Sequence, residues 1–309
     1  MKIYSKLTAL SKEYQNIVVA LGMFDGVHIG HQSIIRRAVE LARAIDGTAV
    51  VFTFSNHPMS VIAPIALPKQ IGNNLLRQRR LAEIGVDALV SIPFTKDFAA
   101  KSPEEFLAML KSYFAPRYVV TGPNYTFGAK GKGTQRQLLR EGKDYGFTAE
   151  VCQAILRDGR PVSSTRIRAL LDLGNLAEAN DFLGYPFTVV DRVIHGDKRG
   201  RTLGFPTANL AIPDERVMLP NGVYACEVVY DGKHYAGLAN IGTNPTFEGC
   251  NRRLEVNIQQ FNQNIYDKVI EVRFLGKLRE EKKFNGIDAL VAQMHRDKEN
   301  AQSYWRAIE

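Results

Sequence analysis

The most constraining feature of this sequence is an apolar run that leads through a glycine-punctuated turn into an amphipathic helix. The run, residues 17–21, is continuous and apolar, as expected of a parallel strand covered on both faces. Residues 34–45 then repeat apolar side chains at helical spacing. The turn between them, residues 22–32 (GMFDGVHIGHQ), therefore opens a helix N-terminus, where backbone N–H groups and the helix dipole favour anions. His28 and His31 add side-chain donors there, which predicts a phosphate site.

The chain up to about residue 183 alternates between strand and helix patterns. Apolar strand candidates lie at 17–21, 49–54, 87–92 and 117–121, and helical patterns lie at 31–45, 73–84, 102–114 and 134–145. Strands that alternate with helices predict a doubly wound parallel sheet covered on both faces. Ligands of such sheets bind at the carboxyl ends of the strands. Two further loops follow strands there, and they contain His57 and Asn124.

A second candidate anion site is the segment Val162–Arg168, which precedes the apolar run Ala169-Leu170-Leu171. A serine before such a run is a helix N-cap, and this structural role is compatible with a functional one. A helix N-terminus with hydroxyls and two arginines can also bind phosphate, because arginine makes bidentate contacts to its oxygens. The two helix N-termini could together grip a triphosphate.

The pattern changes near residues 184–186, where short β segments begin. Strands are predicted at 187–194, 207–212, 223–230, 234–241, 253–260 and 269–275, with turn signals between them. Six short strands at near-regular spacing predict a small β-barrel. A helix is predicted at 284–299.

Residues 195–210 (HGDKRGRTLGFPTANL) are the most informative part of this second region. A turn rich in Gly, Asp and Lys is by default an exposed hairpin loop. At strand spacing, however, Thr207 and Asn209 point to the same face. Their oxygens could hold Mg²⁺ while the basic glycine loop covers phosphates.

Composition limits the function classes. The 309 residues suffice for two domains, and the net charge is +8. The basic residues are scattered, so polyanionic small substrates explain the charge better than nucleic acid does. Three cysteines with no Cys-x-x-Cys spacing suggest neither disulfides nor a zinc site. The absence of a signal-peptide pattern and of a long apolar run predicts a cytoplasmic protein without a membrane partner.

These motifs together resemble a known family. The turn at 22–32 is similar to the HxGH signature of nucleotidyltransferases, and its longer form resembles the bacterial FAD synthetases, which are bifunctional riboflavin kinase/FMN adenylyltransferases. Residues 163–168 resemble that family's second signature, and residues 204–209 (GFPTAN) resemble the riboflavin kinase signature. Residues 240–247 and 253–256 resemble two further kinase motifs. The resemblance covers about residues 15–300.

The resemblance implies an α/β nucleotidyltransferase domain at 1–184 and a β-barrel riboflavin kinase domain at 185–309. It implies ATP, riboflavin, FMN and FAD as substrates or products, Mg²⁺ as the metal, and a monomer or weak homo-oligomer. For catalysis it implies His28, His31 and Arg168 in adenylyl transfer and Glu255 as the kinase base. An alternating strand pattern alone would leave Glu255 as a solvent-facing acid.

The same resemblance assigns substrate-binding residues to both halves. In the adenylyltransferase half they are Gly22, Phe24, Asp25, Gly26, Gly30, His57, Asn124, Ser163, Ser164, Thr165 and Arg166. In the kinase half they are Gly196, Lys198, Arg201, Gly204, Thr207, Asn209 and Asn244, with Thr207 and Asn209 as metal ligands. Two alternatives stay open: a riboflavin kinase with an inactive N-terminal module, and a basic nucleic-acid-binding protein on a nucleotidyltransferase fold.

Overall fold

A computed structural model describes residues 1–196, 205–246 and 249–306. The chain divides into two compact units. The first unit consists of Met1–Pro68 and Arg77–Ser164, and the second consists of Lys69–Leu76 and Thr165–Glu309. The domain boundary predicted at 184–185 concerns functional modules and stays a prediction.

The first unit is built on a six-stranded parallel sheet. Its strands are β1 (Lys2–Tyr4), β2 (Ile17–Leu21), β3 (Thr48–Phe54), β4 (Ala88–Ile92), β5 (Tyr118–Thr121) and β8 (Thr148–Val151). They lie in the order β1-β4-β3-β2-β5-β8, and every neighbouring pair is parallel. Two short hairpins complete the unit: β6 (Thr126–Phe127) with β7 (Gly133–Thr134), and β9 (Leu156–Arg157) with β10 (Arg160–Pro161). The predicted α/β architecture is confirmed.

Helices cover both faces of this sheet. In chain order the helices of this unit are α1 (Ile29–Ala44), α2 (Met59–Ile62), α3 (Asn74–Ile84, from Arg77 onward), α4 (Lys96–Ala100), α5 (Pro103–Phe114) and α6 (Gln135–Glu141). Two further helices, α7 (Ser164–Asp172) and α8 (Leu176–Leu183), belong to the second unit from Thr165 onward. Alternate residues of β2 belong to two cores, with Val18 in the one that includes α1 and Val19 in the one that includes α5. This explains the continuous apolar run, because a strand covered on both faces has no solvent side.

The second unit contains a nearly closed antiparallel barrel. Its strands are β11 (Thr188–Arg192), β12 (Ala208–Ala211), β13 (Gly222–Tyr230), β14 (Lys233–Thr246), β15 (Gly249–Ile258) and β16 (Val269–Arg279). They lie in the order β11-β16-β13-β14-β15-β12. An antiparallel bridge between Ile194 and Asn209 joins the two ends of the sheet. The predicted barrel is therefore confirmed.

The C-terminal helix α9 (Ile287–Trp305) packs on this barrel. Arg279 of β16 binds the carboxylate of Asp297 with its Nε and Nη2 atoms at 2.8–3.0 Å. Trp305 Nε1 donates to the Cys226 carbonyl at 3.2 Å. An ion pair and an indole contact thus fix the helix on the strands.

Sequence patterns located the central elements better than the peripheral ones. The edge strands β1 and β8 were not predicted, because their residues are partly exposed and carry no continuous apolar run. The helix predicted at 134–145 is shorter, since α6 ends at Glu141 and a 3₁₀ turn follows over Gly142–Tyr145. In the part of the chain that the structure describes, no helix combines the length and apolarity needed to cross a bilayer.

Candidate active sites

The glycine-punctuated loop lies where the order of the parallel sheet reverses. From β2 the chain builds β3 and β4 on one side, and it places β5 and β8 on the other. The loops after β2 and β5 therefore flank the switch point, which is the usual ligand crevice of an open α/β sheet. A Cβ built on Gly122, just after β5, would lie 3.0 Å from Ile34 Cδ1, so this second loop lies against α1.

His28 and His31 form a stacked pair at the start of α1. Their ring centroids are 3.6 Å apart and their planes are 19° from parallel. His28 is the N-cap of the helix, and its Nδ1 accepts the backbone N–H of His31 at 3.3 Å. The Nδ1 lone pair is therefore occupied, so a neutral His28 carries its proton on Nε2. The sequence-predicted pair is thus brought together, with one imidazole fixed as an Nε2–H donor.

The loop before the pair adopts a strained backbone. Phe24 has φ 52°, Gly26 has φ 72° and Val27 has φ 39°, all in the left-handed region. Such conformations cost non-glycine residues roughly 1–3 kcal/mol each, the more so for a β-branched valine. Gly22 is required for a different reason, since a Cβ there would lie 2.8 Å from the Phe24 ring. The loop conformation must therefore be held by its surroundings.

Side chains from outside hold the loop by its carbonyl groups. Gln32 Nε2 donates to the Val27 carbonyl at 2.9 Å, from the first turn of α1. Ser164 Oγ donates to the Asp25 carbonyl at 3.3 Å. Ser164, one of the predicted residues, therefore contacts the loop directly. We infer that these contacts compensate part of the strain.

The loops after β3 and β4 are joined to each other. Asn56 Oδ1 accepts the backbone N–H of Phe94 at 2.7 Å, and its Nδ2 donates to the Phe94 carbonyl at 3.1 Å. The predicted residue His57 accepts the Met59 N–H with Nδ1 at 3.1 Å. Asn124 is exposed in the loop after β5. His57 and Asn124 therefore both lie at the carboxyl edge of the sheet, as the strand pattern predicted.

Three half-buried phenylalanines form an aromatic wall at this edge. Phe54 ends β3, and its ring is 4.9 Å from that of Phe94 and 5.0 Å from that of Phe98, in edge-to-face arrangements. Beyond β5, Tyr125 stacks on Phe127 at 6.2 Å. Burial raises the pKa of the Tyr125 phenol well above its usual range, so the group is neutral at pH 7. No sequence pattern indicated this wall, because its residues come from the end of β3, the loop after β4 and helix α4.

The second anion motif falls at the division between the two units. Ser163 and Ser164 belong to the first unit, and the residues from Thr165 onward belong to the second. In the second unit, Arg166 lies over the Phe182 ring at 4.6 Å, and Arg168 Nε donates to the Lys69 carbonyl at 2.6 Å. The joint grip of both motifs on a triphosphate stays a prediction.

The kinase-type residues meet on adjacent strands of the barrel. Asn209 of β12 lies directly opposite Glu255 of β15, and Glu255 lies opposite Asn240 of β14. Opposed residues of antiparallel strands point to the same face, so the three side chains share one surface. Asn209 is buried, and a Cβ on Gly196 would lie 2.5 Å from its Cγ. The structure thus brings three predicted residues together: Glu255 is the strand partner of Asn209, and Gly196 lies against the Asn209 side chain.

A cavity of about 410 Å³ opens beside these strands. Gly196, Thr207 and Asn209 line it, together with the segment from Phe261 to Tyr266. Among the described residues, Glu255 is not part of this lining. The Tyr266 ring stacks on His195 with ring centroids 4.1 Å apart, so the lining of the cavity includes an aromatic ring as well as amide groups. The segment 261–266 was not predicted, because it has neither strand nor helix periodicity.

Four predicted residues cannot be placed in the cavity. Lys198, Arg201 and Gly204 lie outside the residues that the structure describes. The backbone of Asn244 belongs to β14, but its side chain also lies outside the description. Their roles stay predictions.

A buried arginine that no sequence pattern indicated lies at the carboxyl edge of the parallel sheet. Arg77 of α3 donates from Nη1 to the Met23 carbonyl at 3.0 Å and from Nη2 to the Phe54 carbonyl at 2.8 Å. Thr53 Oγ1 donates to the same Met23 carbonyl at 3.2 Å. No local pattern distinguishes Arg77 from the other basic residues of its helix.

Two family models match the chain in succession. The FAD synthetase model matches residues 10–166, and the riboflavin kinase model matches residues 183–305. The bifunctional riboflavin kinase/FMN adenylyltransferase of Listeria monocytogenes is 36% identical over 296 residues, which covers 95% of this chain and 94% of the relative. The chain belongs to the bifunctional riboflavin kinase/FMN adenylyltransferase family.

Other members of this family match over similar lengths. The Bacillus subtilis enzyme of the same name is 35% identical over 300 residues, covering 96% of this chain and 95% of the relative. The Escherichia coli K12 enzyme is 36% identical over 309 residues, which covers 99% of this chain and 98% of the relative. Family membership therefore rests on both halves of the chain.

A solved structure also matches across the whole chain. It is described as a macrolide-efflux protein from Streptococcus pneumoniae and superposes with a TM-score of 0.82 and 35% identity. The match covers 98% of this chain and 99% of the other. This riboflavin kinase/FMN adenylyltransferase family member thus shares its fold with a structure of nearly equal extent.

Proposed function

We propose that this chain makes FAD from riboflavin in two steps: it phosphorylates riboflavin with ATP to give FMN, and it then adenylylates FMN with ATP to give FAD and pyrophosphate. The observation that carries the proposal is the stacked His28–His31 pair at the N-terminus of α1, beside the switch point of the parallel sheet. A helix N-terminus with two imidazoles suits a polyphosphate. The riboflavin kinase match to the second half supplies the other activity.

In adenylyl transfer, an oxygen of the FMN phosphate attacks the α-phosphorus of ATP. The new O–P bond forms while the bond from that phosphorus to the pyrophosphate oxygen breaks. The nucleophile is already an anion, so no protein base is needed. His28 would donate from Nε2, and His31 would stabilise the charge that develops on the transferring group, an effect that usually dominates such reactions.

We place the flavin ring of FMN on the aromatic wall of Phe54, Phe94 and Phe98. The three rings are half-buried, and they start from the same carboxyl edge as the histidine loop. A planar aromatic ligand gains both apolar burial and offset stacking on such rings. His57 and Asn124, from the loops on either side, would contact the phosphates.

In the kinase step, the ribityl 5′-hydroxyl attacks the γ-phosphorus of ATP, and ADP leaves. Glu255 would accept the hydroxyl proton. Its position opposite Asn209, which lines the cavity, supports this role. General-base assistance of this kind contributes typically about 10²–10⁴-fold to the rate. Lys198, Arg201, Gly204 and Asn244 would complete the binding of ATP and riboflavin.

Thr207 and Asn209 would hold Mg²⁺ together with the ATP phosphates. Their hydroxyl and amide oxygens are hard ligands, and Mg²⁺ commonly takes few protein ligands and completes its shell with water and phosphate oxygens. Both residues line the cavity, and the absence of a Cβ at Gly196 leaves room for the Asn209 amide. Bound there, Mg²⁺ would neutralise phosphate charge.

Residues 1–184 would form the adenylyltransferase module, and residues 185–309 the kinase module. Residues of the second anion motif would add a further grip on the ATP used for adenylyl transfer: Ser163, Ser164, Thr165, Arg166 and Arg168. The Ser164 hydrogen bond to the Asp25 carbonyl supports this assignment. Arg168 would contribute charge to the transition state.

The proposed partners are small molecules, with no nucleic acid and no membrane, and we propose a cytoplasmic monomer or weak homo-oligomer. The scattered distribution of 40 Lys and Arg residues supports nucleotide rather than nucleic-acid binding. We do not propose macrolide efflux for this chain, because its candidate sites suit nucleotide phosphates and a flavin ring.

The test is incubation with riboflavin, ATP and Mg²⁺, followed by chromatographic separation of FMN and FAD. We expect FMN to appear first and FAD to follow. FMN without FAD would instead support the kinase with an inactive first module. Neither product, with oligonucleotide binding that weakens steeply with salt, would support the nucleic-acid alternative.

A further inference from the structure

Arg77 occupies an unusual position for an arginine. Arg77 is only 8% exposed and lies at the carboxyl edge of the parallel sheet. It binds the carbonyls of Met23 and Phe54 as described above, and its Nη2 also lies 3.4 Å from Ser91 Oγ. Because Met23 follows β2, Phe54 ends β3 and Ser91 belongs to β4, one guanidinium connects the ends of three neighbouring strands.

These contacts lie at the start of two loops: the loop after β2, which leads to His28 and His31, and the loop after β3, which contains His57. The Met23 carbonyl immediately precedes the strained residue Phe24, and five residues further on is the N-cap His28. The Phe54 carbonyl is three residues before His57. Thr53 Oγ1 donates to the Met23 carbonyl as well, so this one acceptor is held by two side chains. Displacing Met23 would release the turn that orients His28 and His31.

Stability alone does not account for a guanidinium at this place. Burial lowers the pKa of Arg77 to about 10, although the charge of Asp25 acts in the opposite direction. The lowered pKa means that the folded protein disfavours the charged form relative to water. A buried charge held against the carbonyls of a strained loop is typical of functional sites.

Building on the proposed adenylyl transfer, we propose that Arg77 is a positioning residue for that reaction. It holds the loop 22–28 in the conformation that aims the His28–His31 pair at the α-phosphate, and Thr53 acts with it on the Met23 carbonyl. Arg77 itself contacts neither substrate. Its removal therefore affects the transition state more than the binding of ATP and FMN.

The experiment compares Arg77→Met, Arg77→Lys, Thr53→Val and the double variant Arg77→Met/Thr53→Val in the full-length protein. Steady-state kinetics of FMN adenylylation give kcat and the KM values, and riboflavin phosphorylation is measured on the same samples. Arg140→Met is the matched control, because Arg140 is exposed and pairs with the adjacent Glu141. Circular dichroism melts establish that each variant is folded at the assay temperature.

We expect Arg77→Met to lower kcat of adenylylation about 100-fold, as for a catalytic group displaced by about 1 Å, with each KM changed less than about threefold. Arg77→Lys should recover part of this loss, because an ammonium can bind one carbonyl but lacks the planar fork. Thr53→Val should lower kcat about tenfold, and the double variant should lose no more than Arg77→Met alone, since both side chains serve one acceptor. Kinase activity and Arg140→Met should stay at the level of the unmodified protein.

An unchanged kcat in folded Arg77→Met would overturn the inference while leaving the proposed function intact. Strictly multiplicative losses in the double variant would also overturn it. If Arg77→Met does not fold, Thr53→Val decides: a normal kcat there refutes the proposal. An unmodified protein that forms no FAD from FMN would overturn the proposed function and this inference together.

Discussion

His28 and His31 stack face to face at the first turn of α1, with ring centroids 3.6 Å apart and His28 Nδ1 bound to the His31 N–H. The contact makes the two imidazoles one unit, because the backbone of one fixes the tautomer of the other. It also defines which nitrogen of His28 is left to donate. In the proposed adenylyl transfer, this nitrogen would donate to the transferring group.

Replacing His31 by alanine should separate the two activities. We expect His31→Ala to lower kcat for FMN adenylylation by about 10²–10³-fold, the usual effect of removing one preorganised donor from a charged transition state. FMN formation from riboflavin should continue at its normal rate. Chromatography of a riboflavin, ATP and Mg²⁺ incubation would show FMN accumulating without FAD. A parallel fall in both rates would contradict the modular assignment.

The reverse separation is expected for Glu255→Gln. The amide cannot accept the proton of the ribityl hydroxyl, so riboflavin phosphorylation should fall by about 10²–10⁴-fold. FAD formation from added FMN should be unaffected. Glu280→Gln is the matched control, because Glu280 is an exposed acid of the same unit that pairs with Lys277. If Glu255→Gln keeps its kinase rate, Glu255 is a solvent-facing acid.

Gly196→Ala tests the close approach between Gly196 and Asn209. The new Cβ would lie 2.5 Å from Asn209 Cγ, so the amide has to move. We expect kcat/KM for riboflavin phosphorylation to fall by about 10- to 100-fold through misplacement of this group. Combining Gly196→Ala with Asn209→Ala should add little to the loss of Asn209→Ala alone. Independent losses would show that Gly196 acts on something else.

Asp297→Ala should destabilise the second unit. Asp297 is buried and accepts three contacts from Arg279, so its removal leaves an uncompensated charge, at a cost of about 3–5 kcal/mol. The chain has a single tryptophan, Trp305 of α9, so its fluorescence during urea unfolding reports on this unit. Glu299→Gln, an exposed site on the same helix, should change stability by no more than about 0.5 kcal/mol. Equal midpoints for the two variants would refute the assigned role of the ion pair.

Local patterns predicted much of this molecule. The apolar run Ile17–Leu21 is a strand with the predicted bounds, and a loop leads from it into a helix as expected. That helix begins at Ile29, two residues before the predicted start at 31, and ends at Ala44. The barrel strands followed from their alternation and turns. The placement of His28 and His31 at one helix N-terminus could be predicted because it depends on spacing within one short segment. The pairing of Asn209 with Glu255 could not, because it depends on the register between two strands that are far apart in the sequence.

Other parts could not be predicted, because they depend on residues that are far apart in the chain. The aromatic wall collects Phe54 from the end of β3, Phe94 from the loop after β4 and Phe98 from α4. Edge strand β8 lacks an apolar run. A bridge between Ile194 and Asn209 joins the barrel ends. Such contacts follow from the path of the chain, and periodicity does not record that path.

The sequence alone was enough to predict that a loop with two histidines leads into a helix N-terminus and that a β-barrel follows in the second half. What holds that loop depends on the tertiary fold. Arg77 lies 54 residues after Met23, on a helix with other arginines, and only folding brings its guanidinium to the Met23 carbonyl. The physical reason is that spacing encodes the local geometry of strands and helices, whereas burial of a charge against two distant carbonyls arises from packing.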